Sequence, residues 1–213
     1  MTTSIAPPTV PSATPGATDL PDPRPIFAKA VALCREIVAG VRPEQLTNPT
    51  PCTEFDVRTL GHHILAVLRR VAIIGSGGDP ASTPSFAEGV ADDEWVEVFD
   101  PLAAQLEAVW SDDAVLTNIV TVPWAQLPGA VALLIYINEI SVHTWDLAIA
   151  TDQQPAWEET VLATAYAAIR RGLPAEGRED PELPFDAVVD VAADAPLIHQ
   201  LVTWNGRDPY SIG

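Results

Sequence analysis

From Val71 to Ile169 the chain contains no lysine or arginine, a run of 99 residues. A carboxylate buried within that run has no basic neighbour in sequence to neutralise it, and uncompensated burial of a charge is costly. Cysteine is almost as scarce. Cys34 and Cys52 are too few for a disulfide framework and fit a reducing compartment, so a cytoplasmic protein is expected. Cys52 reads as a small buried thiol rather than a redox centre or thiolate ligand. The longest apolar run is interrupted at Asn138 and Glu139, short of a membrane span, and no basic region followed by an apolar core opens the chain. The formal charge of −18 sets nucleic acid and anionic membrane surfaces aside as partners. There is no GxGxxG, no phosphate-cradling loop, no GxSxG elbow and no repeat of fixed period.

What is present is the composition of one globular domain: 213 residues, 47% hydrophobic. Residues 1–24 are expected to form a disordered leader, since seven prolines among Ser, Thr and Ala precede Ile26 and leave little to bury. Residues 25–213 are expected to form a single domain. Phe27, Val31, Cys34, Ile37, Val38 and Val41 recur at helical spacing and predict a first helix from Pro25. Asp56 is placed to cap a second helix, with Val57, Leu60, Ile64, Val67, Leu68 and Val71 on one stripe. A third runs from Asp92 to Ser111, with Trp95, Phe99, Leu102, Leu106, Val109 and Trp110 inward; its carboxylates form a solvated face without the EF-hand ligand order. Val115 to Trp124 alternates and predicts extended chain. A central helix follows from Pro128 to about Thr151, and another starts at Pro155 and ends at Arg170 and Arg171, basic residues that suit a helix C-terminus. In the tail, FDAVVDV predicts a strand and PLIHQLVTWNG a short helix. The fold class is therefore mainly all-α, an up-and-down four-helix bundle with an extra helix and a short mixed C-terminal tail.

Glu139 and His143 stand one helical turn apart in the central helix, so their side chains project together. With Ala132, Ile135, Tyr136 and Asp146 they form one stripe, and the rest of that helix is apolar too, as suits a buried position. A divalent cation would compensate the Glu139 carboxylate. The second helix offers a third donor: its periodicity points His62 toward solvent with Arg58 and Arg69 and sets His63 at the edge of the apolar face. Two helices could then supply His63, Glu139 and His143 to one metal. His199, alone near the C-terminus, reads as structural or exposed, and Trp145 and Trp124 as core or pocket wall.

The block PTPCTEFDVRTLGHHILAV, with YINEISVHTWDLAIATDQ about 76 residues further on, resembles the actinobacterial metal-binding branch of the DinB/YfiT-like superfamily. That branch is related to the N-terminal domain of mycothiol-dependent maleylpyruvate isomerase. The likeness runs from about Pro25 to the GRDP at Gly206 to Pro209. It implies a DinB-type helical bundle holding a divalent metal, usually zinc, through His63, Glu139 and His143, the same three residues that periodicity selects. Phe55 stands where tryptophan is more usual, His62 replaces an asparagine-like residue and Thr144 a common glycine; none is a proposed ligand. The chain is expected to lack a full C-terminal domain of the isomerase type, so the substrate is not inherited.

Three ligands of mixed nitrogen and oxygen type leave a coordination position open, as catalytic zinc sites do. The expected chemistry is activation of a low-molecular-weight thiol such as mycothiol, giving transfer to, or isomerisation of, a small electrophilic substrate. Asp146 and Tyr136 are the candidate catalytic residues, Asp146 to orient an imidazole or a water and Tyr136 to donate to substrate. Arg69 and Arg70 are the candidate cations for a thiol cofactor, with Arg170 and Arg171 as alternatives. Two other readings keep the metal, a hydroxide-based hydrolase or biosynthetic enzyme and an iron or nickel centre. A third is a non-catalytic binding protein or metal-stabilised homodimer.

Overall fold

The computed structural model describes residues 21–178 and 185–211. The leader expected over residues 1–24 lies largely outside them. Seven helices make up most of the described chain: α1 (Arg24–Ala39), α2 (Val57–Gly75), α3 (Trp95–Val109), α4 (Asp113–Thr117), α5 (Gly129–Ala150), α6 (Glu159–Gly172) and α7 (Leu197–Trp204). Two short antiparallel strands, β1 (Ile119–Val122) and β2 (Ala125–Pro128), pair Val122 with Ala125 across a two-residue Pro123–Trp124 turn. No helix among the described residues is long and apolar enough to cross a membrane.

The bundle is built by α1, α2, α3 and α5, in which α2 packs on α3 and α5 while α1 packs on the other side of the same two helices. Helix α6 adds to the α1–α5 side and α7 covers α6. The sequence periodicities account for this packing. In α2 all six stripe residues, Val57 to Val71, are buried, and each such aliphatic side chain contributes about 1.5–3 kcal/mol when fully removed from water. Asp56 caps this helix by accepting the Thr59 N–H at 2.8 Å, which satisfies one of the free amides of the first turn. Helix α5 is buried around most of its circumference, from Ala132 and Leu133 through Leu147 and Ala148, as apolar residues on every side of it require. In α1, Phe27, Val31, Cys34, Ile37 and Val38 face the core, and in α3 Trp95, Phe99, Leu102 and Leu106 do so.

Several local expectations are corrected. Val115 to Trp124 is not one extended segment: Asp112 caps a helical turn by accepting the Ala114 N–H at 2.9 Å, and the chain becomes extended only from Ile119. Helix α6 begins at Glu159, four residues after Pro155. FDAVVDV forms no strand, because no partner strand lies beside it among the described residues. Its backbone is held singly instead, the Val189 N–H donating to the Thr203 carbonyl at 3.1 Å and Arg178 Nη1 donating to the Asp186 carbonyl at 3.1 Å. Trp145 is core, 4% exposed, whereas Trp124 at the hairpin turn is 60% exposed and so not core, its ring tilted against that of Tyr136 with centroids 6.3 Å apart.

Candidate metal centre

The side chains of His63, Glu139 and His143 converge where α2 crosses α5. Glu139 Oε1 lies 3.6 Å from His63 Nε2 and 3.7 Å from His143 Nε2. One donor atom from each residue falls within 4.8 Å of the other two. The imidazole planes are nearly perpendicular, 80° apart with centroids at 4.9 Å.

The orientation of both rings is fixed from behind. His63 Nδ1 lies 2.9 Å from the Ser85 carbonyl, which can only accept, so Nδ1 carries a proton and Nε2 is turned toward Glu139, with a lone pair in the neutral ring and an N–H to donate in the imidazolium. His143 Nδ1 lies 3.1 Å from Asp146 Oδ2, which sets the same tautomer on the second ring. Two Nε2 atoms and a carboxylate oxygen therefore face one point, a cation's donor set when the rings are neutral, and each imidazole has the outer acceptor that metal-bound histidines use.

Burial pushes the Glu139 carboxyl up, but hydrogen bonding to His63 and the charges of His143, His63 and Arg207 outweigh it and bring it down to about 2. No arginine pairs directly with Glu139 among the described residues; the nearby guanidinium of Arg207 is committed to Asp146, with Nη2 to Oδ2 at 3.0 Å and Nε to Oδ1 at 3.3 Å. Asp146 is wholly buried. Burial pushes it up, and the Arg207 charge and the His143 hydrogen bond hold it below the usual carboxylate range.

Residues 27–148 match the model of the mycothiol maleylpyruvate isomerase N-terminal domain family. The chain belongs to that family. Two uncharacterized proteins of Mycobacterium tuberculosis, one from strain H37Rv and one from strain CDC 1551 / Oshkosh, are each 25% identical to it over 186 residues, covering 87% of this chain and 98% of each relative. No solved structure matches the chain.

In this mycothiol maleylpyruvate isomerase-type domain the walls of the centre are aromatic. Phe55, from the loop before α2, and Phe86, from the loop after it, flank His63 with ring centroids 5.3 and 5.9 Å away. Tyr136, one turn before Glu139, is buried, and its hydroxyl has no hydrogen-bond partner among the described residues. Burial and the Glu139 charge push its phenol up, with Arg70 partly offsetting them. Arg70, two turns along α2 from His63, lies on the same side of the helix and donates to the Pro84 carbonyl at 3.3 Å. No hydrogen bond or ion pair joins Arg69 to the centre among the described residues. Arg170 sits elsewhere, stacked on Tyr166 and Trp204 at the α6–α7 face, beside Arg171.

His62 does not point into solvent as its periodicity predicts. The loop after α2 folds over that face, His62 Nδ1 meets the Ala87 carbonyl at 3.0 Å, and the ring packs edge-on to Trp95 at 5.7 Å. His199, half-buried against Tyr210, is remote from the centre. Sequence reasoning missed Arg207. It lies 61 residues from Asp146 and beyond the matched residues 27–148, and its local signals are the GRDP that closes the resemblance and, within it, Gly206. That residue has φ +84°, and a Cβ on it would stand 2.7 Å from Asp186 Cβ, so the turn that delivers Arg207 requires glycine. Cys52, expected as a small buried thiol, is only half-buried. Its thiol belongs to a second cluster with His143 and Asp146, and burial pushes it up to about 11 despite the Arg207 charge.

Proposed function

We propose that this chain is a metal-dependent, mycothiol-type enzyme of small-molecule metabolism, a thiol transferase or isomerase, with His63, Glu139 and His143 as the protein ligands of a divalent cation. The observation that carries the reading is the pair of imidazoles whose Nδ1 atoms are both engaged, leaving both Nε2 atoms aimed at one carboxylate oxygen at 3.6 and 3.7 Å. Two nitrogens and one oxygen are the donor set of zinc sites that keep a position open, and they also accommodate iron or nickel. A bound divalent cation supplies Lewis acidity there, favouring the deprotonated form of a thiol or water at neutral pH.

The remaining residues take the other tasks. Ser85 and Asp146 hold the imidazole orientations. Tyr136 offers a buried, uncommitted O–H as a proton donor or hydrogen-bond donor to substrate, and its raised pKa keeps that proton on in the working range. Phe55 and Phe86 line the donor cluster beside His63 with apolar surface for a substrate. Arg70 is the favoured cation for an anionic group of the thiol, because it shares the side of α2 that carries His63; Arg69 does not. The expected setting is the cytoplasm, with a small-molecule substrate and neither nucleic acid nor membrane as partner.

Elemental analysis tests the ligand set. About one metal per chain is expected in the wild type, with loss of most of it in His63→Ala, Glu139→Ala and His143→Ala. A thiol-dependence assay across an electrophile panel then tests the chemistry. Full metal retention in any two of the three variants refutes the site, and turnover equal with and without added thiol refutes the thiol reaction in favour of hydrolysis.

A further inference from the structure

We infer that Arg207 is a positioning residue for this centre, acting through Asp146 on His143, so that the C-terminal segment beyond the family match is a working part of the site. The inference rests on the reading that His63, Glu139 and His143 hold a cation, and it concerns what keeps one of them aimed.

Asp146 has no exposed surface, and its two oxygens have three partners among the described residues: Oδ2 takes His143 Nδ1 at 3.1 Å and Arg207 Nη2 at 3.0 Å, and Oδ1 takes Arg207 Nε at 3.3 Å. A guanidinium engaging a carboxylate through two nitrogens fixes the plane of that carboxylate as well as neutralising it. The plane of Asp146 sets the direction from which Oδ2 meets Nδ1, and that direction sets where Nε2 points. Without Arg207, the carboxylate would be left buried with the imidazole as its sole partner.

Arg207 is itself anchored. Its Nη1 donates to the Asn205 carbonyl at 2.9 Å, and Asn205 is locked to Asn138 by two reciprocal amide bonds of 3.1 and 3.0 Å. Asn138 directly precedes Glu139. The tail thus grips α5 on both sides of the Glu139–His143 turn, through Asn138 and through Asp146. Binding free energies are reciprocal, so a tail that strengthens cation binding is itself held more firmly when the cation is bound.

The test is a double-mutant cycle on Zn2+ affinity in the full-length protein, read by competition with a chromophoric chelator, with the melting temperature of each metal-free variant measured alongside. Arg207→Met is expected to weaken Zn2+ binding about 10- to 100-fold, the range for outer partners of metal ligands, with Arg207→Lys between it and wild type. In an Asp146→Asn background the same change is expected to cost at most about twofold, because the carboxylate through which Arg207 acts is gone. That background also removes the charge that Arg207→Met leaves unpaired; if Arg207→Met does not fold, the cycle is closed with Arg207→Lys. Zn2+ should slow amide exchange across Leu197–Trp204 in wild type and less so in Asp146→Asn. An unchanged Zn2+ dissociation constant with a lowered melting temperature makes Arg207 merely structural and overturns the inference. Equal losses in both backgrounds overturn it as well. A wild type that takes up no Zn2+, iron or nickel fails the metal reading itself, a result distinct from either.

Discussion

Gly61 lies two residues before His63 on α2, and the place its side chain would take is filled by the indole of Trp95. A Cβ there would lie 2.5 Å from Cζ3 and 2.7 Å from Cζ2, with Cη2 closer still. Trp95 is 3% exposed and sits edge-on to His62, so the ring has little room to swing away. Two effects of Gly61→Ala oppose one another. Helix propensity favours alanine by about 1 kcal/mol, while forcing a methyl into a packed interior costs about 1–3 kcal/mol. Three ring carbons inside the contact limit point to the upper end of that cost, giving a net loss of about 1–2 kcal/mol. For a chain of this length that is a fall of about 2–8 °C in melting temperature. Thermal unfolding of the metal-free protein followed by circular dichroism reads it directly, and Trp95→Leu in the same chain should recover part of the loss. The metal content should stay at wild-type level, since His63 projects about 160° around the helix from Gly61, toward α5. A rise in melting temperature would mean that propensity outweighs the clash and that Trp95 does not pack on Gly61 as described.

His62→Ala removes the contact to the Ala87 carbonyl and the edge of Trp95, so a loss of about 1 kcal/mol with unchanged metal content is expected by denaturant titration and elemental analysis; metal loss equal to that of His63→Ala would contradict the assignment of the two adjacent rings. Cys34 is fully buried, and burial pushes its thiol up to about 12 despite the neighbouring Thr144 hydroxyl, which lowers it. It should stay protonated and unlabelled by a thiol reagent in the native protein at neutral pH, with Cys52 modified first and Cys34 only after denaturation; two thiols titrating at one rate in the native state would refute that.

The parts of the site that lie on a single helix were legible. Glu139 and His143 declare themselves by a one-turn step inside an apolar run without cations, and His63 by its place at the border of a hydrophobic stripe, because both signals depend only on helical periodicity. What depends on distant chain folding back was not. His62 was misassigned because the loop after α2 covers a face that periodicity leaves open, and the acceptors in that loop are carbonyls, which every residue has. Arg207 was invisible because nothing in its neighbourhood marks it as the partner of Asp146, although Gly206 marks the turn. Trp124 as core and FDAVVDV as a strand failed for a related reason: an aromatic residue or an alternating run states a preference, and only the neighbouring elements decide whether there is something to pack or pair against.

Both histidines of α2 are held by main-chain oxygens of the loop between α2 and α3, His62 by Ala87 and His63 by Ser85. Apart from the Phe86 ring, that strap serves the two histidines by its path rather than its side chains. Its other letters are free to drift among related chains so long as its length and curvature survive, and a deletion of one residue should do more harm than replacing several.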